Sequence, residues 1–368
     1  MSEAGRPAAS LPGIELLRFV CAFAVLMWHY QHFSYVGNQP HQFDPTQQPF
    51  YPLLSFFYRY GLYGVQVFWC ISGCIFGWKY GAVLARRQLG AGRFFLLRFS
   101  RLYPLHLATL LLVAVLQALY ASGQGHTFVY RDNSAGAFVL QLALASHWFY
   151  PLTGFSFNGP IWSVSLEVLA YAVFFAWSRY AGSGWLATAL ATLAAALAWR
   201  YADWPLLECL LYFYLGVLVA LAYALLAGWP APRRNAAVLA AAILLALVLA
   251  APWRYAIASA STLLLATPLA VGLSLALRPV QPVARALAAL GNLTYASYLL
   301  HFPLQLGIAL ACGALGVAVP WRSPWLWLFF IGATFVLAHL CHRRFEMPLQ
   351  RRLRRPISPG PVSAAPRA

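Results

Sequence analysis

The chain has 368 residues, 62% of them hydrophobic and 9% charged, with a mean hydropathy of +0.67. A soluble domain carries roughly 25% charged residues, so too few charges are present to coat a water-soluble globule; soluble enzymes, disulfide-stapled secreted scaffolds and disordered chains are excluded. The balance is lopsided, 25 Lys+Arg against 8 Asp+Glu for a formal net of +17, which in a membrane protein reads as retention of loops in the cytoplasm rather than as binding of nucleic acid.

Eleven apolar segments succeed one another, at about 14–32, 61–80, 103–121, 137–151, 162–178, 185–199, 206–227, 236–252, 255–277, 291–312 and 325–342. Apolar runs of about 20 residues suit transmembrane helices, so the fold class is an all-α polytopic membrane bundle. No small-residue cleavage site follows the first segment, which is therefore expected to stay as a helix. Six basic residues and no acid lie between the second and third segments: Lys79, Arg86, Arg87, Arg93, Arg98 and Arg101. Seven more close the chain: Arg343, Arg344, Arg351, Arg352, Arg354, Arg355 and Arg367. With these and the loops at Arg233/Arg234 and Arg278/Arg285 in the cytoplasm, the other side keeps one Arg per loop. Both termini inside demands an even number of spans. Segment 137–151, short and ending at His147–Trp148, is the weakest, and is expected to be re-entrant or interfacial. The expectation is ten spans, N-in and C-in. Residues 1–12 are then a cytoplasmic N-terminus, 13–345 a single membrane domain, and 346–368 a basic and then disordered cytoplasmic tail. The six cysteines fall in or beside apolar segments and none has a spacing that suits a metal.

Ionisable residues within a bilayer cost several kcal/mol and are functional candidates. The first segment holds Glu15, Arg18 and His29. Arg18 and His29, eleven residues apart, return to within about 20° of one face at a separation of roughly 16 Å. Glu15 sits at the i,i+3 spacing of an ion pair with Arg18. Alone, Glu15 and Arg18 read as interfacial side chains and His29 as a core histidine. On one stripe, the functional reading gains equal weight.

Arg18 and His29 with ten residues between them resemble the signature of acyltransferase family 3, the membrane-bound O-acyltransferases. Further pieces follow in that family's order. Gly64-Val65-Gln66-Val67-Phe68-Trp69-Cys70-Ile71-Ser72-Gly73 is similar to its second-helix motif. The stretch from Arg93 through Arg98 and Arg101 to Tyr103-Pro104 resembles its Arg-x-x-Arg region, and Trp162-Ser163-Val164-Ser165-Leu166-Glu167 its Trp-Ser-x-x-x-Glu motif. Leu290-Gly291-Asn292-Leu293-Thr294-Tyr295, leading through Tyr298 to His301, and Phe345-Glu346-Met347-Pro348 complete the set. The chain departs from the family at Glu15 and Gln66, where Asp is common, and at Met347, where a basic residue is usual. Gln66 has lost a charge and is given no catalytic role.

Acyl transfer to a hydroxyl needs a base and a stabiliser for the developing oxyanion. Histidine titrates near working pH, which makes His29 the candidate base; His301 is either a second site histidine or a structural one bonded to Tyr295 or Tyr298. Glu167 orients an imidazole or pairs with an Arg. Arg18 holds Glu15 or Glu167, or polarises a thioester carbonyl. The resemblance implies acyl-CoA, acetyl-CoA above all, as the donor substrate, with no metal. It also implies a multi-pass location in a bacterial cytoplasmic (inner) membrane and a carbohydrate or other small-molecule hydroxyl as acceptor. Arg93, Arg98 and Arg101 are then phosphate ligands for the donor, entering from the cytoplasm; the aromatic 33–60 loop reads first as a membrane-interface belt and second as a stacking surface past which the acceptor enters. A transporter with an intramembrane Glu/Arg/His proton relay is the rival reading.

Overall fold

Pro12, whose ring presets φ for a first helical turn and whose missing N–H is no loss there, opens α1 (Pro12–His29). A 3₁₀ turn over Tyr30–Ser34 extends it. The structure, a computed structural model, describes residues 11–36, 39–250 and 260–354. Beyond one two-residue antiparallel pair, β1 (Tyr35–Val36) with β2 (Gln39–Pro40), the regular elements described are helical. α2 (Tyr51–Tyr60), α3 (Gly64–Phe76), a π turn over Gly77–Gly81 and α4 (Ala82–Ala85) follow one another with short interruptions. Then come α5 (Ala91–Gln124), α6 (Ala135–Leu142), α7 (Trp162–Tyr180), α8 (Trp185–Tyr201) and α9 (Pro205–Ala227). α10 (Ala231–Ala250), α11 (Ala260–Ala276), α12 (Gln281–Gly291), α13 (Thr294–Ala314) and α14 (Pro324–Cys341) complete the bundle, before a π turn at His342–Glu346 and α15 (Met347–Arg354).

Eight helical stretches among the described residues are long and apolar enough to cross a membrane. α8 and α11, at 17 residues each, reach about 25 Å at the helical rise, the short end of what spans a core of roughly 30 Å. The chain is a multi-pass, all-α integral membrane protein, and a helix occupies each of the ten expected spans; positions 251–252 of the seventh and 255–259 of the eighth lie outside the described residues. Segment 137–151 does not form a crossing helix. α6 has eight residues, about 12 Å of helix, and turns follow it. The irregular backbone beyond it finds partners inside the protein, as membrane depth requires: Gln141 Nε2 donates to the Ser156 carbonyl at 2.8 Å, and the Phe157 N–H donates to Asn133 Oδ1 at 3.0 Å.

Three expectations need correction. The 33–60 loop ends at residue 50, because α2 already runs over Tyr51–Tyr60. Tyr103-Pro104 does not start a helix. Pro104 lies inside the 34-residue α5, where it removes one backbone bond without breaking the rod. The basic stretch after 346 folds as α15 and returns to α5, where Arg354 Nε donates to Ser100 Oγ at 3.0 Å. The expected disorder of 356–368, like most of the N-terminal 1–12, lies outside the described residues.

α1 packs against α3, α11, α12 and α13, so the helix that carries the charged stripe is surrounded. The closest crossing is between α3 and α9. A Cβ on Gly73 would overlap the Phe213 carbonyl, and one on Gly216 the Cys70 carbonyl. Small residues at such a crossing let two backbones approach in lipid, where no hydrophobic force drives helices together. Around it Phe76 stacks on Tyr171 at 4.2 Å between ring centroids, and Phe213 meets Phe76 and Phe174 edge-on. α10, in contrast, buries no residue.

The eight-residue length of α6 makes a topological prediction. Cysteines from Gly123→Cys and Gly154→Cys should react with a membrane-impermeant maleimide from one face, and that from Arg87→Cys from the other. Labelling at 154 from the Arg87 side would mean that 135–158 crosses.

Candidate active site

Helices α1, α3, α5, α7 and α13 enclose a cavity of about 120 Å³. α5 contributes Arg98 and Arg101, three residues apart and so on one face. Arg93, five residues before Arg98, is rotated by about 140° and does not line the cavity; helical phase removes it from the expected phosphate set. Arg98 is held in place. Its Nη2 donates to Tyr80 Oη at 2.7 Å, and its guanidinium lies 5.0 Å from the Phe76 ring centroid. Its Nε is buried without a partner. Arg101 is exposed at the same cavity.

Arg18 lines this cavity too and donates through Nη1 to Glu15 Oε2 at 2.8 Å. The carboxylate packs against Gly291 so closely that a Cβ there would overlap it. Gly291 of the Leu290–His301 motif therefore seats Glu15, and Glu15 holds Arg18. Glu167 behaves otherwise than expected. It orients no imidazole and accepts no bond from an Arg; Ser72 Oγ and Tyr171 Oη donate to its Oε1, the latter at 2.6 Å. Ser72 belongs to the second-helix motif and Glu167 to the Trp-Ser-x-x-x-Glu motif. The same two motifs also meet through Trp69 and Trp162, ring centroids 5.7 Å apart. Tyr298 Oη donates to the Pro160 carbonyl at 2.7 Å and accepts from Ser163 Oγ at 2.7 Å.

The histidines gather deeper in the bundle. The His29 and His301 ring centroids are 4.8 Å apart, and His32 lies 5.0 Å from His29. His29 Nδ1 is 2.8 Å from the Val25 carbonyl; a carbonyl only accepts, so Nδ1 carries the proton and Nε2 presents its lone pair. Gln305 Nε2 donates to the His29 carbonyl at 2.9 Å and ties α1 to α13. His301 Nδ1 points to the Ser297 carbonyl at 3.3 Å, and its Nε2 is buried and unpaired. Tyr295 and Tyr298 do not hydrogen-bond it, because their hydroxyls serve Leu102, Pro160 and Ser163. No group of three His, Cys, Asp or Glu among the described residues is placed to hold a metal.

A second cavity, of about 440 Å³, opens where the 3₁₀ turn after α1 meets the far ends of α5 and α13. Tyr35, His41, Tyr120, Gln124, Trp321 and Arg322 are among its walls. Leu102 of the first cavity and Tyr120 of the second are 18 residues apart on α5, about 27 Å along its axis. Rings join the two. Tyr298 lies 6.1 Å from His301, His301 meets His29, His29 meets His32, and His32 lies 5.1 Å from Tyr35. The sequence reading passed over His32, although its i,i+3 spacing from His29 was legible. It also passed over Tyr171, at the i,i+4 spacing from Glu167, and Tyr80, which no spacing in the chain connects to Arg98.

A buried imidazole with a free lone pair, linked through His301 and Tyr298 to a cavity carrying guanidinium groups inside a multi-pass helical bundle, is an arrangement suited to a membrane enzyme of group transfer. Comparison with known proteins agrees: a family model described as an acyltransferase domain, that of acyltransferase family 3, matches residues 11–343, and the chain belongs to that family. It is 28% identical over 399 aligned residues to the acyltransferase MdmB of Streptomyces mycarofaciens, with 97% of each chain covered. No solved structure matches it. The transporter reading gives way to an acyltransferase.

Glu167→Ala should leave two buried hydroxyls without their acceptor. A loss of about 1–3 kcal/mol is expected, read as a lower Tm of the purified protein, together with reduced acyl transfer. An Ala variant as stable as the parent would mean that the carboxylate does not organise this wall.

Proposed function

We propose that this acyltransferase moves an acyl group, in the simplest case acetyl, from cytoplasmic acyl-CoA to a hydroxyl of a carbohydrate or other small-molecule acceptor arriving from the opposite face of an inner membrane. The observation that carries the reading is the tautomer of His29, with Nδ1–H held by Val25 and Nε2 free within the row of rings that runs from Tyr298 at the first cavity to Tyr35 at the second. In the reaction Nε2 takes the acceptor's proton as its oxygen attacks the thioester carbonyl. The tetrahedral intermediate then collapses, the C–S bond breaks, and the imidazolium returns its proton to the departing thiolate. The products are an ester and free CoA.

The two cavities suit two substrates. The first is basic through Arg18, Arg98 and Arg101 and narrow enough to admit the thin thioester arm of the donor while its phosphates stay at the guanidinium groups. The second is larger and walled by Tyr35, Tyr120 and Trp321, rings that can stack on a sugar or another polyhydroxylated ring. Arg18 stands about 16 Å from His29 along α1, too far to polarise the carbonyl that His29 serves. Its part is to hold Glu15 and to add charge to the donor cavity. His301 acts through His29, as a positioning residue.

Membranes given radiolabelled acetyl-CoA test this reading. His29→Ala should insert normally, since an imidazole-to-methyl change costs little apolar surface, and should lower CoA release by about 10²–10⁴-fold. Near-parental release would remove His29 as the base. Arg98→Ala and Arg101→Ala should raise the KM for acetyl-CoA more than they lower kcat, because phosphate contacts remote from the thioester mainly bind. A rate defect at unchanged KM would argue against a phosphate seat.

A further inference from the structure

We infer that the C-terminal helix completes the donor site: Arg354 of α15 joins Arg98 and Arg101 in a three-guanidinium seat for the phosphate groups of the acyl donor. The inference rests on the donor reading above and extends it to a residue beyond the family match, which ends at 343.

The placement of Arg354 is built. His342 Nδ1 and Glu346 Oε2 pair at 3.1 Å across the π turn that precedes α15. α15 packs along α5, where Arg354 Nε donates to Ser100 Oγ at 3.0 Å and Nη2 to the Leu97 carbonyl at 3.3 Å. These two bonds hold the side chain beside Arg98 and Arg101, and its charge interacts with both. Two of the five guanidinium N–H groups are used and three remain.

Such a cluster calls for anions, and the described acids fall short of it: Glu167 alone shares the cavity with Arg98 and Arg101 without an ion-pair partner of its own. Among the described residues Glu15 is committed to Arg18 and Glu346 to His342. Glu167 is taken by Ser72 and Tyr171, and Glu208 accepts from Gln66 at 3.1 Å. Arg101 hydrogen-bonds no described residue, and Arg98 Nε is an orphan buried donor. Three like charges in one place repel unless a counter-charge comes from outside, and guanidinium forks match phosphate oxygens geometrically.

Size decides which part of the donor sits there. Pockets that engulf a drug-sized ligand measure roughly 300–1,000 Å³, whereas this cavity measures about 120 Å³. The nucleotide end of the donor must therefore lie outside it, against exposed Arg101 and half-buried Arg354. An anionic lipid headgroup carries the same phosphate chemistry, so the test must separate the two.

The full chain in phosphatidylcholine nanodiscs, with CoA as the probe, provides the measurement. Arg354→Ala should raise the Kd for CoA about tenfold, equivalent to about 1.4 kcal/mol. Arg354→Lys should recover part of the affinity, and the salt dependence of binding should fall in the Ala variant. Kcat at saturating acetyl-CoA should stay near parental, which a merely structural role would not preserve. Should Arg354→Ala fail to fold, Arg354→Gln, which can still bond Ser100, is expected to show the same weakened CoA binding. Parental Kd in the substituted protein, with Arg98→Ala still weakened, overturns the role of Arg354 and leaves the donor reading standing. Absence of CoA binding by the parent overturns both. In nanodiscs containing phosphatidylglycerol, loss of bound lipid at unchanged CoA affinity would assign the seat to a headgroup and overturn the inference.

Discussion

A polar side chain inside a bilayer has to find its partner within the protein; α1 pairs Arg18 with Glu15 and His29 with the Val25 carbonyl on itself, and helices made much later in the chain hold those pairs in place. Glu15 is seated by Gly291, the carbonyl of His29 is held by Gln305, and the His29 ring meets His301. All three partners lie between residues 291 and 305. An isolated α1 would leave a carboxylate, a guanidinium and an imidazole facing hydrocarbon, at several kcal/mol each. The site is thus a long-range object that exists only once α12 and α13 have docked against α1.

That dependence explains why the recognisable motifs are scattered. Ser72 and Glu167, Gly291 and Glu15, and His301 and His29 are far apart in sequence and meet as pairs in the bundle, each with a specific duty. Ser72 donates to Glu167, Gly291 leaves room for Glu15, and His301 abuts His29. Gly73, next to Ser72, lets α3 touch α9. One short motif therefore serves both the site wall and the closest helix crossing.

The membrane helices were legible because burial in lipid writes a local rule, a run of apolar residues as long as the bilayer is thick. Failure of segment 137–151 to cross was legible for the same reason, from its shortness and its polar end. The stripe on α1 followed from helical periodicity alone. Information held between helices was not legible. Glu167 looked like a partner for a charge and turned out to accept from two hydroxyls, one of them four residues away on its own helix. Arg93 shared a motif with Arg98 but not its face. Pro104 looked like a helix start, yet neighbouring helices and α15 support α5 straight through it. His32 was overlooked because it stands just past the helix, where the 3₁₀ turn carries its ring back beside His29.

The ring chain from Tyr298 through His301, His29 and His32 to Tyr35 also has a barrier role. With centroids roughly one ring apart, it forms the wall between a cavity at one end of the bundle and a cavity at the other. His29 and His301 are buried in that row, with ring centroids 4.8 Å apart. In the reaction proposed above an acyl group would pass this row of rings while neither substrate crossed it, and in a membrane that holds an ion gradient the row would have to stay closed to ions. Removing an imidazole there would empty a place in the wall and open room for water. The rings to which that proposal gives the proton would then also be the rings that keep the two cavities apart.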